Sequence, residues 1–262
     1  MGALIAVLSM VAGTALASVV VAPPALALSG GPDNFGYTFT DSTEVGGPAF
    51  DFQDISATGT DVGTAAFCDD CLEPVPLPFT FSFYGNAQND VFVSSNGFLS
   101  FANDYDGCCS GDLIPTAGPP DNFIAGFWTD LGPAGDTTGG TIKSETLGTS
   151  PNRIFVVQFT DIPEFPDGPG LTTMQFKLFE GSNNIEVHYL TASAENHLVT
   201  AGIENAPGTD GLQYLNADNP TLSNIAVRYT YPPPDVTAPT CVISARRAGP
   251  PKELDVTVQD TG

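Results

Sequence analysis

Two runs rich in β-forming residues flank Asn96-Gly97 in the stretch Val91 to Phe101, which reads VFVSSNGFLSF. No other feature limits the fold of this chain as tightly. Asn-Gly between apolar alternations is the strongest short-range hairpin signal, because a type I′ turn needs φ > 0 at both central residues. The expectation is a β-hairpin in which Asn96 and Gly97 are structural turn residues.

The same period recurs along the chain. Phe79, Phe81 and Phe83 alternate with Thr80 and Ser82, so the three rings share one face. Phe35 to Phe39, Phe123 to Thr129, Thr141 to Thr146, Arg153 to Thr160, Leu171 to Glu180, Asn184 to Leu190, Val199 to Glu204, Gly211 to Leu215 and Asn224 to Tyr231 read as further strands. In Asn184 to Leu190, Ile185, Val187 and Tyr189 are expected to face inward, with Glu186 and His188 outward. Gly 28 and Pro 23 point to many turns. About ten short strands at even spacing, little helix and no strand–helix alternation predict an all-β, antiparallel β-sandwich or jelly-roll-like fold.

Leu4 to Val21 is almost continuously apolar and ends in Ala25-Leu26-Ala27, an A-x-A cleavage pattern. Residues 1–27 therefore read as a signal peptide, with no membrane insertion after cleavage. The basic n-region is missing, as expected of a start that lies downstream of the true one, and a retained anchor is the alternative. Residues 28–231 form the main domain, and 232–236 a stiff Pro-rich linker. From 237 to 262 the chain is too short to close a sandwich of ~100 residues. The expectation is a piece of a longer, multidomain surface protein.

Lys+Arg 7 against Asp+Glu 30 gives a net charge of −23. No basic patch exists to neutralise phosphates, so nucleic acid is excluded as a partner. Acidity is otherwise what keeps an exported protein soluble.

Cys68 and Cys71 frame C-D-D-C, and Cys108 and Cys109 are adjacent. In an exported domain these read as two disulfides, with three connectivities open. The favoured one ties the 68/71 loop to the 108/109 loop, because two intraloop bonds require a strained vicinal ring. A four-cysteine zinc site wants C-x2-4-C twice, which adjacent cysteines do not supply. A redox C-x-x-C belongs in a βαβ context that is absent.

Enzymatic signatures are lacking. His188 on an outward face and His197 in a polar loop have no G-x-S-x-G elbow beside them. Asp161 and Glu164 sit in a loop with nothing to promote them. The chemistry worth carrying forward is calcium. Asn103-Asp104-Tyr105-Asp106-Gly107 places oxygen ligands on alternate residues with a Gly turn, and Asp112 lies nearby. Asp104, Asp106 and Asp112 are the candidate ligands, with Asp69 and Asp70 brought close by the disulfides. Against this, Pro115 stands where an EF-hand needs Glu, and Asp/Asn/Gly loops are ordinary turn chemistry.

Five segments carry a resemblance: VPLPFTFSFYG (Val75 to Gly85), VSSNGFLSF (Val93 to Phe101), IAGFWTDL (Ile124 to Leu131), FKLFEGSNNIEVHY (Phe176 to Tyr189) and AGIENAPGTDGLQY (Ala201 to Tyr214). In this order they resemble the NIDO-like (nidogen-type) extracellular family, and more closely its secreted bacterial relatives. The resemblance implies an extracellular β module found beside Ig-like or adhesion domains, with cell–matrix adhesion as the setting in animal relatives. It implies no catalytic residues. Asn96 and Gly97 map to its turn, and Trp128 and Asp130 to a core position and a turn or cap contact. Gly126 stands where the animal domains usually have Pro, a departure expected to affect local loop shape. Asp235-Val236-Thr237-Ala238-Pro239 resembles the opening of bacterial Ig-like or hyalin-repeat-like domains, and implies further Ig-like domains in the parent chain.

The expected function is a non-enzymatic secreted or cell-surface module for adhesion, protein interaction or domain display, with an extracellular protein or glycan as ligand. The alternatives are a carbohydrate-binding module, with Tyr105 and Tyr214 as stacking aromatics, and an accessory domain of a secreted hydrolase.

Overall fold

The computed structural model describes residues 28–65, 68–103, 108, 111–132, 140–166, 168, 170–234, 240–245 and 254–259. The signal-peptide reading, Asp104, Tyr105, Asp106, Cys109 and the 235–239 motif lie outside these residues.

The chain runs β1 (Ser29–Gly30), β2 (Thr38–Asp41), β3 (Thr60–Asp61), β4 (Leu72–Phe83), β5 (Asn86–Ser94), β6 (Phe98–Ser100), β7 (Phe123–Trp128) and β8 (Thr141–Leu147). It continues through β9 (Ile154–Pro163), β10 (Leu171–Phe179), β11 (Ile185–Ser193), β12 (Leu198–Glu204), β13 (Gly211–Asp218), β14 (Thr221–Thr230), β15 (Thr240–Ala245) and β16 (Leu254–Gln259). Eight strands form one sheet in the order β1-β2-β14-β11-β10-β9-β8-β3, and six form the other in the order β13-β12-β7-β6-β5-β4. Every pairing is antiparallel. The chain is an all-β sandwich, as its periodicity predicts. β15 and β16 pair apart as a two-stranded sheet.

One main core joins the sheets. Phe81, Phe83, Val91, Leu99, Ile124 and Phe127 from the six-stranded sheet meet Val157, Phe159, Met174, Phe176, Val187 and Tyr189 from the eight-stranded one. Each large side chain so buried contributes about 1.5–3 kcal/mol. The Tyr189 hydroxyl crosses the interface and donates to the Gly126 carbonyl at 2.6 Å. Gly126 is therefore not a loop position. It lies in β7 under the Phe176 ring, and a Cβ there would come within 2.4 Å of Phe176 Cζ.

The proline-rich lead-in is itself strand. β4 begins at Leu72, and Pro74 and Pro76 pair with Phe92 and Asp90. β4 is an edge of its sheet. Prolines two residues apart share one side of a strand, and an edge tolerates them when their missing N–H groups face outward.

Irregular segments cover the central strands of both outer faces. Over β7, Ile114 packs with Phe98, Phe123, Ala125 and Trp128 in a second, smaller cluster. Across the eight-stranded sheet, residues 48–55 form a polar strap. Asp51 N–H donates to His188 Nδ1 (3.2 Å), Gln53 N–H to Gln175 Oε1 (3.3 Å) and Ile55 N–H to Gln158 Oε1 (2.9 Å). Gln175 Nε2 donates to the Gln53 carbonyl (2.6 Å) and Lys177 Nζ to that of Asp51. Glu186 and His188 do sit on the outward face, but the strap buries them, and His188 is 0 % exposed. Because His188 Nδ1 accepts from Asp51, its Nε2 carries the proton and donates to Glu186 Oε2 at 2.7 Å. Burial lowers the Lys177 pKa, against the opposing pull of Asp51 and Glu186. Gln175→Ala would leave the Gln53 peptide group unpaired, so denaturant titration is expected to show a loss of about 1–2 kcal/mol.

Candidate functional site

Three segments distant in sequence meet at one corner: the C-D-D-C loop, the turn between β5 and β6, and residues 129–131 after β7. Asn96 joins them. Its Nδ2 donates to Asp70 Oδ1 at 2.8 Å, while its Oδ1 accepts from Leu131 N–H at 2.8 Å. Its own N–H is held by Ser94 Oγ at 3.1 Å. Cys71 N–H donates to Ser95 Oγ, and Ser95 N–H donates back to the Cys71 carbonyl, both at 2.9 Å.

The turn differs from the expected type I′. Ser94 pairs with Phe98, leaving the three-residue loop Ser95-Asn96-Gly97, and only Gly97 is left-handed, at φ 80°. Three-residue hairpin loops place one glycine in the αL region. Asn96 is fully buried, its amide spent on the corner rather than on a left-handed backbone. The Gly97 carbonyl accepts from Gly126 N–H (3.1 Å) and Phe127 N–H (3.0 Å), tying the turn to β7.

The disulfide pairing also differs. Cys68 bonds Cys71 within its own loop, with Cα atoms 5.9 Å apart. A left-handed Asp70, at φ 48°, folds the loop tightly enough for that reach. The Asn96 amide, not a loop-to-loop disulfide, anchors this loop to the sandwich. Cys108 is disulfide-bonded as well.

Asp69, Asp70 and Asp130 each offer a carboxylate oxygen at this corner, all within 4.8 Å of one another. It is the one such group of three metal-ligating side chains among the described residues. Burial pushes the Asp130 carboxyl up to about 6; the charges of Asp69, Asp70 and Glu164 add to the rise and His197 opposes it. Asp69 is raised too, by burial first and then by Asp70. Asp112, the described member of the expected calcium set, is exposed and outside this group; its carbonyl accepts from Thr200 Oγ1 at 2.7 Å.

Glu164 is a hub that sequence reading passed over. Nearly sealed from solvent, it accepts from Glu195 N–H (2.9 Å) and Asn196 N–H (3.0 Å), and lies 2.8 Å from His197 Nδ1. It thereby braces the loop behind Asp130. Tyr214, a sugar-stacking aromatic only under the carbohydrate-binding alternative, is partly buried and packs edge-on against Phe39.

A second acidic pair lies under the 111–122 segment. Glu204, 1 % exposed, accepts from Thr116 N–H at 2.6 Å. Burial pushes its carboxyl up to about 8; the Thr116 hydrogen bond works against this, and Asp121 adds to it.

Two packed antiparallel sheets with a disulfide-closed loop at one corner define a β-sandwich module. The chain belongs to the NIDO-related family, whose sequence profile matches residues 36–235. NIDO-type domains are extracellular interaction-type modules, and no helix among the described residues is long and apolar enough to cross a membrane. No curated protein and no solved structure matches the chain.

Proposed function

We propose that this protein is a secreted, non-enzymatic surface module that binds an extracellular protein, in adhesion or in the display of neighbouring domains. Membership of the NIDO-related family over residues 36–235 carries this reading. The apolar segment ending in Ala25-Leu26-Ala27 supports export. The disulfide suits an oxidising compartment. The Asp235-Val236-Thr237-Ala238-Pro239 motif, which resembles an Ig-like opening, supports a place beside other extracellular domains.

Covering segments occupy the middle of both sheet faces, over β7 and over β9 to β11, which leaves the end loops and the outer strands to meet a partner. The test is a solid-phase screen of the purified chain against matrix proteins, mucins and glycans. Saturable binding to a protein is the expected result. Binding to glycans alone would replace this reading with a carbohydrate-binding one, and a blank on folded protein would overturn it.

A further inference from the structure

We infer that a calcium ion binds at the corner formed by Asp69, Asp70 and Asp130. The central observation is Asp130. It is 8 % exposed, its side chain accepts no hydrogen bond from any described residue, and its carboxylate is aimed at the other two. Asp69 Oδ1 is likewise buried without a partner. None of the ion pairs among the described residues involves these three carboxylates. A buried acceptor without a donor at Asp69, with two further carboxylate oxygens gathered within 4.8 Å, is costly unless a cation sits between them.

The surroundings hold the oxygens in place. Asn96 Nδ2 fixes Asp70, the Cys68–Cys71 bond closes the loop that carries Asp69, and Phe165 N–H holds the Asp130 carbonyl at 3.0 Å. Behind Asp130, Glu164 fixes His197. An all-carboxylate set selects a hard cation over zinc or copper, which favour imidazole and thiolate. Ligands drawn from separate loops suit the flexible coordination of calcium better than the strict octahedron of magnesium, and backbone carbonyls and water would complete the shell.

Thermal unfolding of the whole chain tests this, in EDTA, in 10 mM calcium, in 10 mM magnesium and in sodium chloride of matched ionic strength. Calcium alone is expected to raise Tm by about 5 °C or more. A calcium titration is expected to give one site with Kd between about 10⁻⁵ and 10⁻³ M. D130N should melt higher than wild type in EDTA, because a buried repulsion is gone, and should gain nothing from calcium. D69N carries the same expectation and decides the matter where D130N fails to fold. D112N should keep the calcium shift. Equal Tm in calcium and EDTA, an equal rise in magnesium or sodium chloride, a D130N or D69N protein that keeps the shift, or a D112N protein that loses it would each overturn the assignment.

Discussion

Gly97→Ala is expected to destabilise the sandwich by about 4 kcal/mol, lowering Tm by roughly 10 °C. Two costs combine. The residue sits at φ 80°, where an L side chain is strained, and an added Cβ would lie 2.3 Å from the Phe127 carbonyl oxygen. Because that neighbour is backbone, relief means moving β7 and breaking the bonds the Gly97 carbonyl accepts. Gly46 supplies the matched control. It has a similar φ of 86° but nothing within 4 Å of an added Cβ. Gly46→Ala is expected to cost only about 1 kcal/mol. Equal losses in denaturant titrations of the two variants would show that the close approach at Gly97 is not made.

Glu204→Gln is expected to stabilise the protein at pH 8 by on the order of 3 kcal/mol and to flatten its stability profile below that. In the folded chain Glu204 titrates at about 8, above its ordinary value near 4.5. The folded state therefore holds a proton that the unfolded state releases between those two values. Stability from this group is fully present below about pH 4.5 and is lost as pH rises through 8. Glutamine keeps the neutral form at every pH, accepts from Thr116 N–H, and can donate toward Asp121. Denaturant titrations of both proteins from pH 4.5 to 9 should diverge steadily up to about 8 and then run parallel. Curves that stay together throughout would mean Glu204 is ionised in the folded state.

The sandwich itself was legible because its strands bury apolar residues at period 2. Phe79, Phe81 and Phe83 face the core as their spacing predicts, and Ile185, Val187 and Tyr189 do the same. The about ten expected strands became fourteen in the two sheets, mainly through two-residue edges such as β1 and β3, too short to show a period. The polar strap was illegible for another reason. Gln158, Gln175, Lys177 and His188 are buried by hydrogen bonds rather than by hydrophobicity, so their alternation looks the same as that of a solvated face. The carboxylate corner was half-readable. C-D-D-C drew notice for its cysteines, and Asp130 for its place in IAGFWTDL, but about sixty residues separate them. Only the register of β5, β6 and β7 brings them together, through an Asn96 first read as a backbone turn residue. Glu164 gave no signal at all, since its donors are the backbone N–H groups of 195 and 196.

The proline edge of β4 matters most when many copies share a surface. A sheet border with free N–H and C=O groups is an open template, and crowded neighbours would fuse along it into fibres. At Pro74 and Pro76 the chain has no amide to offer, and the opposite sheet ends in strands of two residues at both borders. Two copies of the sandwich brought together thus have little to pair along these borders. The eight-residue edge strand β13 is the one long border of the two sheets without prolines, and so the one where a strand from another chain could pair.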